Sequence, residues 1–195
     1  MKILAIDPGA NLGWASDISG RLEWGTADFS LRRVSTEGLR WLKFTRWLEE
    51  RTAPVAPRDL HVMYEMQNNF NRGNSSSGEL AKIFSAFLLE FCEKRGIPCE
   101  AIQNQKLKAF AIPARPRPKK GEPKHPPLDR SKDAMIAAAT TWLEKAVAPY
   151  QTFVPIGVAV SGFIVPKINE HEADALILYR MGRAQAADHE TRRTA

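Results

Sequence analysis

The chain has 195 residues, 44% of them hydrophobic, which is enough for one core of ordinary size with some decoration and too few for two large lobes. A net charge of +6 and a pI near 9.5 point to a polyanionic partner, nucleic acid first among them, and leave the fold open. The two cysteines, Cys92 and Cys99, have neither zinc spacing nor a disulfide pattern, and no apolar run reaches the roughly 18 residues of a bilayer span. A structural zinc, a disulfide framework and a membrane partner are therefore not expected. Met1-Lys2 leads into a strand pattern where a signal peptide would have its own signature. The expected location is the cytoplasm, with reduced thiols.

The stretch Lys2-Ile3-Leu4-Ala5-Ile6-Asp7-Pro8-Gly9 reads as a strand buried on both faces that delivers an acid at its C-terminal end, where a Pro-Gly break stops it. Open α/β sheets place their chemistry at such ends. Asp7 either pairs with a base or cation there, or merely initiates the Pro-Gly turn. Leu12 to Ser16 and Arg21 to Phe29 follow as strands joined by Asp17-Ile18-Ser19-Gly20, short connections that make an antiparallel meander with the first. Trp14 and Trp24 are expected to pack on its faces. Thr36 to Arg51 carries Leu39, Leu42, Trp47 and Leu48 at helical spacing, with Thr36 as N-cap. Asp59 to Glu65 is a strand with a second terminal acid. Placed parallel beside the first strand, it brings Asp7 and Glu65 to one edge of the sheet.

From Met66 to Gly78 the chain is polar, with Phe70 and Arg72 among asparagines and serines. An aromatic beside an arginine suits stacking on an unpaired base and contact with phosphate, while a Phe folded back to anchor the loop is the plainer alternative. Glu79 to Lys94 is a helix apolar on two sides, which predicts cover on both, by its own sheet and by a second subunit. Cys99 to Ile102 is a fifth strand, and Asn104 to Phe110, with Lys106 and Lys108, a short helix. Between Pro113 and Lys132 lie six of the thirteen prolines, with Arg115, Arg117, Lys119, Lys120, Lys124, Arg130 and Lys132 against Glu122 and Asp129. Such a stretch cannot bury a core and reads as an extended basic loop, either a solubilising linker or an arm that tracks phosphates. Asp129 to Ala146 is a helix, Phe153 to Val165 a strand pair or irregular loop, and Asn169 to Arg183 the last helix, with a frayed tail from 184 to 195.

The last helix opens Asn169-Glu170-His171-Glu172-Ala173-Asp174. At 100° per residue Asp174 points between Glu170 and His171, and Glu172 lies nearly opposite. Laid over the strand ends, that face gathers Asp7, Glu65, His171 and Asp174 into an oxygen-rich site suited to Mg²⁺ or Mn²⁺. The competing explanation is helix N-terminal charge that complements the macrodipole and needs no metal.

The segments Ile3 to Gly9, then Gly13, then Tyr64-Glu65, then His171-Glu172-Ala173-Asp174-Ala175-Leu176, in that order, resemble the RuvC family of Holliday-junction resolvases within the RNase H-like superfamily. The resemblance implies an α/β fold with a five-stranded mixed sheet, an antiparallel meander plus parallel strands, flanked by helices. The nuclease domain would span 1–183, with the basic Pro-rich loop at 111–130 and a disordered tail at 184–195. It implies symmetric nicking of four-way DNA junctions, with Asp7, Glu65, His171 and Asp174 as the catalytic metal-binding set. Each site would hold two Mg²⁺ ions, for which Mn²⁺ could substitute. His171 stands where many members have aspartate; it would ligate Mn²⁺ or carry a proton, with Glu170 in reserve. Phe70 resembles the aromatic that the family inserts near the junction centre, and Lys106, Lys108, Arg130 and Lys132 fall among its DNA-binding basic residues. A homodimer through helix 79–94 is implied as well. Departures from the cellular pattern fit a phage-type member. An actin- or Hsp70-like ATPase lobe and a non-cleaving branched-DNA-binding module are the competing functions.

Overall fold

The computed structural model describes residues 1–31, 36–66, 76–113, 129, 131–147 and 167–194. The strands are β1 (Lys2–Asp7), β2 (Asn11–Ser16), β3 (Glu23–Asp28), β4 (Leu60–Met66) and β5 (Cys99–Gln103). They form one sheet in the order β3-β2-β1-β4-β5. The first three pair antiparallel, and β1–β4 and β4–β5 pair parallel. The helices are α1 (Glu37–Thr52), α2 (Ser76–Arg95), α3 (Asn104–Ala111), α4 (Lys132–Val147) and α5 (Glu170–Thr194). This is the mixed five-stranded architecture expected from the sequence.

Two hydrophobic clusters lie on opposite faces of the sheet, and strand alternation sorts residues between them. Leu4, Ile6, Val62 and Tyr64 face α1 and α2, where Phe44, Leu48, Phe84 and Leu88 complete the layer. Ile3, Ala5 and Met63 face the other way, against Leu107 of α3, Leu143 of α4 and Leu176 of α5. Asp7 and Glu65 continue the second series, two residues beyond Ala5 and Met63, so parity alone aims both acids at the α5 side. Trp14 and Trp24 belong to the two different clusters, as their strands predict.

Helix α1 shows its register differently from the sequence expectation. Thr36 does cap it, its hydroxyl accepting from the Leu39 N–H at 3.3 Å. The buried stripe, however, is Arg40, Phe44, Leu48 and Thr52, while Leu42 is 69% exposed. An arginine can occupy that stripe because its Nε donates to the Phe29 carbonyl at 3.1 Å and its guanidinium lies 5.8 Å from the centre of the Trp41 ring. In α4 the cap is Ser131, whose hydroxyl accepts from Ala134 N–H, so the helix begins at Lys132 and not at Asp129. Helix α5 continues to Thr194, where a frayed tail was expected from 184. Ala184-Gln185-Ala186-Ala187 are strong helix formers, and they carry the helix past the last turns packed on the sheet.

Candidate active site

The β1–β4 ladder pairs Ile6 with Tyr64 in parallel, so the next residues, Asp7 and Glu65, leave the sheet side by side. Both are buried, at 7% and 3% exposure. On the other side of Asp7 its antiparallel partner is Gly13. A Cβ at Gly13 would fall 2.0 Å from the His171 carbonyl oxygen and 2.3 Å from its carbon. The missing side chain is what lets the first turn of α5 lie directly on β2. His171 then reaches Asp7, with Nδ1 and Oδ2 2.8 Å apart.

The start of α5 is fixed by a reciprocal capping box. Asn169 Oδ1 accepts from the Glu172 N–H, and Glu172 Oε2 accepts from the Asn169 N–H, both at 3.0 Å. Thr26 ties this box to the edge strand, accepting from Asn169 Nδ2 at 2.9 Å and donating to Glu172 Oε1 at 3.3 Å. Glu172 therefore works as a helix cap, on the side of α5 away from Asp174. The Asn-x-x-Glu signature was visible in the sequence as Asn169 and Glu172.

Glu170 is not an open carboxylate. Lys132, the first residue of α4, pairs with its Oε2, and the His171 Nε2 lies 3.7 Å from its Oε1. The result is a line of groups, Asp7, His171, Glu170 and Lys132. Glu65 has a partner that sequence reasoning missed: Asn104, at the start of α3, donates its side-chain amide to Oε1. Glu65 Oε2 is buried with no hydrogen-bond partner among the described residues. Leaving such an acceptor unmet costs about 1–3 kcal/mol.

The electrostatics follow from this crowding. Burial, and then the charge of Asp7, push Glu65 up to about 7, against the Asn104 hydrogen bond and the Lys108 charge. Burial, with Glu65 and Asp7 adding their charges, pushes Asp174 up to about 8. Burial also raises Asp7, against the pull of His171, and the Asp7 hydrogen bond holds His171 above its usual range. Asp7, Glu65 and Asp174 thus feel one another's charge across three separate elements, and His171 stands beside them.

Two of the predicted basic residues flank the acids: Lys108 acts on Glu65 and Asp174, and Lys132 on Glu170 and Asp7. Lys106, on the opposite side of α3, is exposed. Phe70, Arg72, Arg115, Arg117, Lys119, Lys120 and Arg130, with most of the 111–130 loop and the 153–165 stretch, lie outside the described residues. Among the described residues no three His, Cys, Asp or Glu side chains form a ready-made metal cage. The donor set still suits a hard divalent cation: three mutually repelling carboxyls, two of them buried, one with a buried oxygen that has no partner among the described residues. No helix among the described residues is long and apolar enough to cross a membrane.

A mixed sheet of this order, with acids ending two central neighbouring strands and a helix laid across them, is the RNase H-like architecture. Solved structures that share this fold include RuvC and a mitochondrial resolvase. Thermus thermophilus RuvC in complex with a Holliday junction substrate superposes with a TM-score of 0.57 at 17% identity, covering 93% of this chain and 97% of that one. A second Thermus thermophilus RuvC structure gives 0.54 at 18% identity with the same coverage. The yeast mitochondrial Holliday junction resolvase Ydc2 gives 0.50 at 15% identity, covering 97% of this chain and 81% of that one. No protein-family model matches the chain, and no curated protein sequence matches it significantly.

Proposed function

We propose that this protein is a divalent-metal-dependent endodeoxyribonuclease that resolves four-way DNA junctions by symmetric nicking. The observation that carries the reading is the convergence of Asp7, Glu65 and Asp174, desolvated and mutually repelling, at the strand ends of a RuvC-like sheet. Asp7, Glu65 and Asp174 would hold Mg²⁺, or Mn²⁺ in its place, at two ions per site. Ions bound there supply a nucleophilic water at neutral pH and neutralise charge on the departing oxygen.

The remaining roles belong to the chain itself. Asp7 orients His171 through Nδ1, so the imidazole offers only Nε2, either to a cation or to a proton leaving the reacting water. Glu170, held by Lys132, keeps that edge of the ring in place. Lys106, Lys108 and Lys132, together with Arg115, Arg117, Lys119, Lys120 and Arg130, supply the positive charge that a DNA backbone needs. Phe70 and Arg72 are assigned to the opened centre of the junction.

A two-fold junction cut on both sides calls for two sites related by a two-fold axis. The exposed apolar residues on the two flanks of α2, Ile83 at 41% and Leu89 at 38%, support a homodimer through 79–94. Free Cys92 and Cys99 suit a cytoplasmic setting. The test is the product pattern on labelled junction, fork, flap and linear duplex with Mg²⁺ against Mn²⁺. Paired nicks on the junction are expected. Equal cutting of linear duplex, or no cutting with either metal, overturns the proposal.

A further inference from the structure

Strand β5 runs into α3 without a loop: Glu65 pairs with Ile102, Met66 with Gln103, and the helix begins at Asn104. Asparagine is among the best N-cap residues and a poor residue inside a helix. Here it stands one place too far in. The cap position is Gln103, which makes no side-chain capping bond, and the Asn104 amide donates across to Glu65 Oε1. A chain that breaks a local rule at such a point does so most often for a site.

The consequence lies in which oxygen remains. With Oε1 engaged, the Glu65 carboxylate keeps Oε2 buried and, among the described residues, unpartnered, and Glu65 lies near enough to Asp7 and Asp174 for their charges to act on one another. Lys108, four residues on and so on the same face of α3, adds a positive charge that Glu65 and Asp174 both feel. We propose that Asn104 is a positioning residue that fixes the Glu65 carboxylate through Oε1, so that Oε2 alone is presented to a divalent cation. Without the amide the carboxylate rotates, and cation binding must first restore its orientation. Partners of this kind are worth about ten- to a hundredfold in metal affinity.

The inference rests on the metal-dependent reading above, and the experiment separates the two. Mn²⁺ binding to the full-length protein is titrated by the electron paramagnetic resonance of the free ion, for wild type, Asn104→Leu, Asn104→Ser and Glu65→Gln. Asn104→Leu keeps the volume without the donor. Asn104→Ser, whose hydroxyl is too short to reach, stands in if the leucine variant does not fold. Roughly tenfold weaker binding in either Asn104 variant is expected, together with loss of binding in Glu65→Gln. Binding within twofold of wild type in both Asn104 variants, with Glu65→Gln impaired, overturns the positioning role and leaves the nuclease reading standing. Wild-type Mn²⁺ binding in Glu65→Gln overturns both.

Discussion

Gly13 and His171 touch backbone to side-chain position: a Cβ on the glycine would sit 2.9 Å from the Cβ of the histidine and closer still to its carbonyl. The β2 residue that pairs with Asp7 is thus also the one that admits the helix bringing Asp7 its partner. Gly13→Ala forces α5 outward, since the obstructing atoms are backbone. Overpacking of this kind costs about 1–3 kcal/mol, and displacement of His171 is expected to abolish cleavage while junction binding persists. Gly38→Ala in α1 is the contrasting case, with nothing nearer than 4.0 Å. It should raise stability by roughly 0.5–1 kcal/mol, read as melting temperature beside unchanged cleavage.

His171→Ala leaves Asp7 buried without its hydrogen-bonding partner. If the imidazole carries a proton in the reaction, cleavage falls roughly 10²-fold or more, with junction affinity retained. Single-turnover cleavage at saturating metal measures this directly, and a rate within threefold of wild type removes His171 from the chemistry.

The raised acids give the metal-free protein a distinctive pH dependence. Glu65 and Asp174 have ordinary values of 4.5 and 3.8 and folded values of about 7 and 8. Between those limits the folded chain holds protons that the unfolded chain has released, so stability declines as pH rises from about 4 to 8. Each unit of difference is worth about 1.4 kcal/mol. His171, also raised, loses its contribution in the same direction. Melting temperature without divalent ions should therefore fall from pH 5 to pH 8, Glu65→Gln and Asp174→Asn should flatten the slope, and Mn²⁺ should restore stability at pH 8. A melting temperature that rises over this range contradicts the burial of these carboxyls.

The exposed apolar flanks of α2 predict a dimer that charge can split. Ile83→Glu with Leu89→Glu places two carboxylates where each protomer would bury apolar surface, and light scattering should report a monomer. Paired nicking should be lost with it.

Much of this arrangement was legible because alternation and chain breaks are local. Ile3 to Gly9 dictated a buried strand that ends in an acid, and parity then put Asp7 and Glu65 on one face. What was not legible depends on groups distant in sequence. Nothing near Leu39 and Leu42 says that Arg40 finds the Phe29 carbonyl and turns α1 inward on another stripe. Glu170 looked like a spare ligand until Lys132, in another helix, engaged it. Asn104 passed as an ordinary helix start, because its donor target lies 39 residues away. Asn169 and Glu172 could have been read as a capping box, which gives Glu172, already set opposite Asp174, a role of its own.

The central claim, that Asp7 belongs to a site that cuts DNA, is tested most directly by Asp7→Asn, which keeps shape and hydrogen bonding and removes one charge. Purified wild-type and variant protein are compared on a labelled four-way junction in Mg²⁺ and in Mn²⁺, with binding measured on the same DNA in Ca²⁺. The account predicts wild-type junction affinity and no detectable nicking by the variant. Nicking by the variant at the wild-type rate would contradict it.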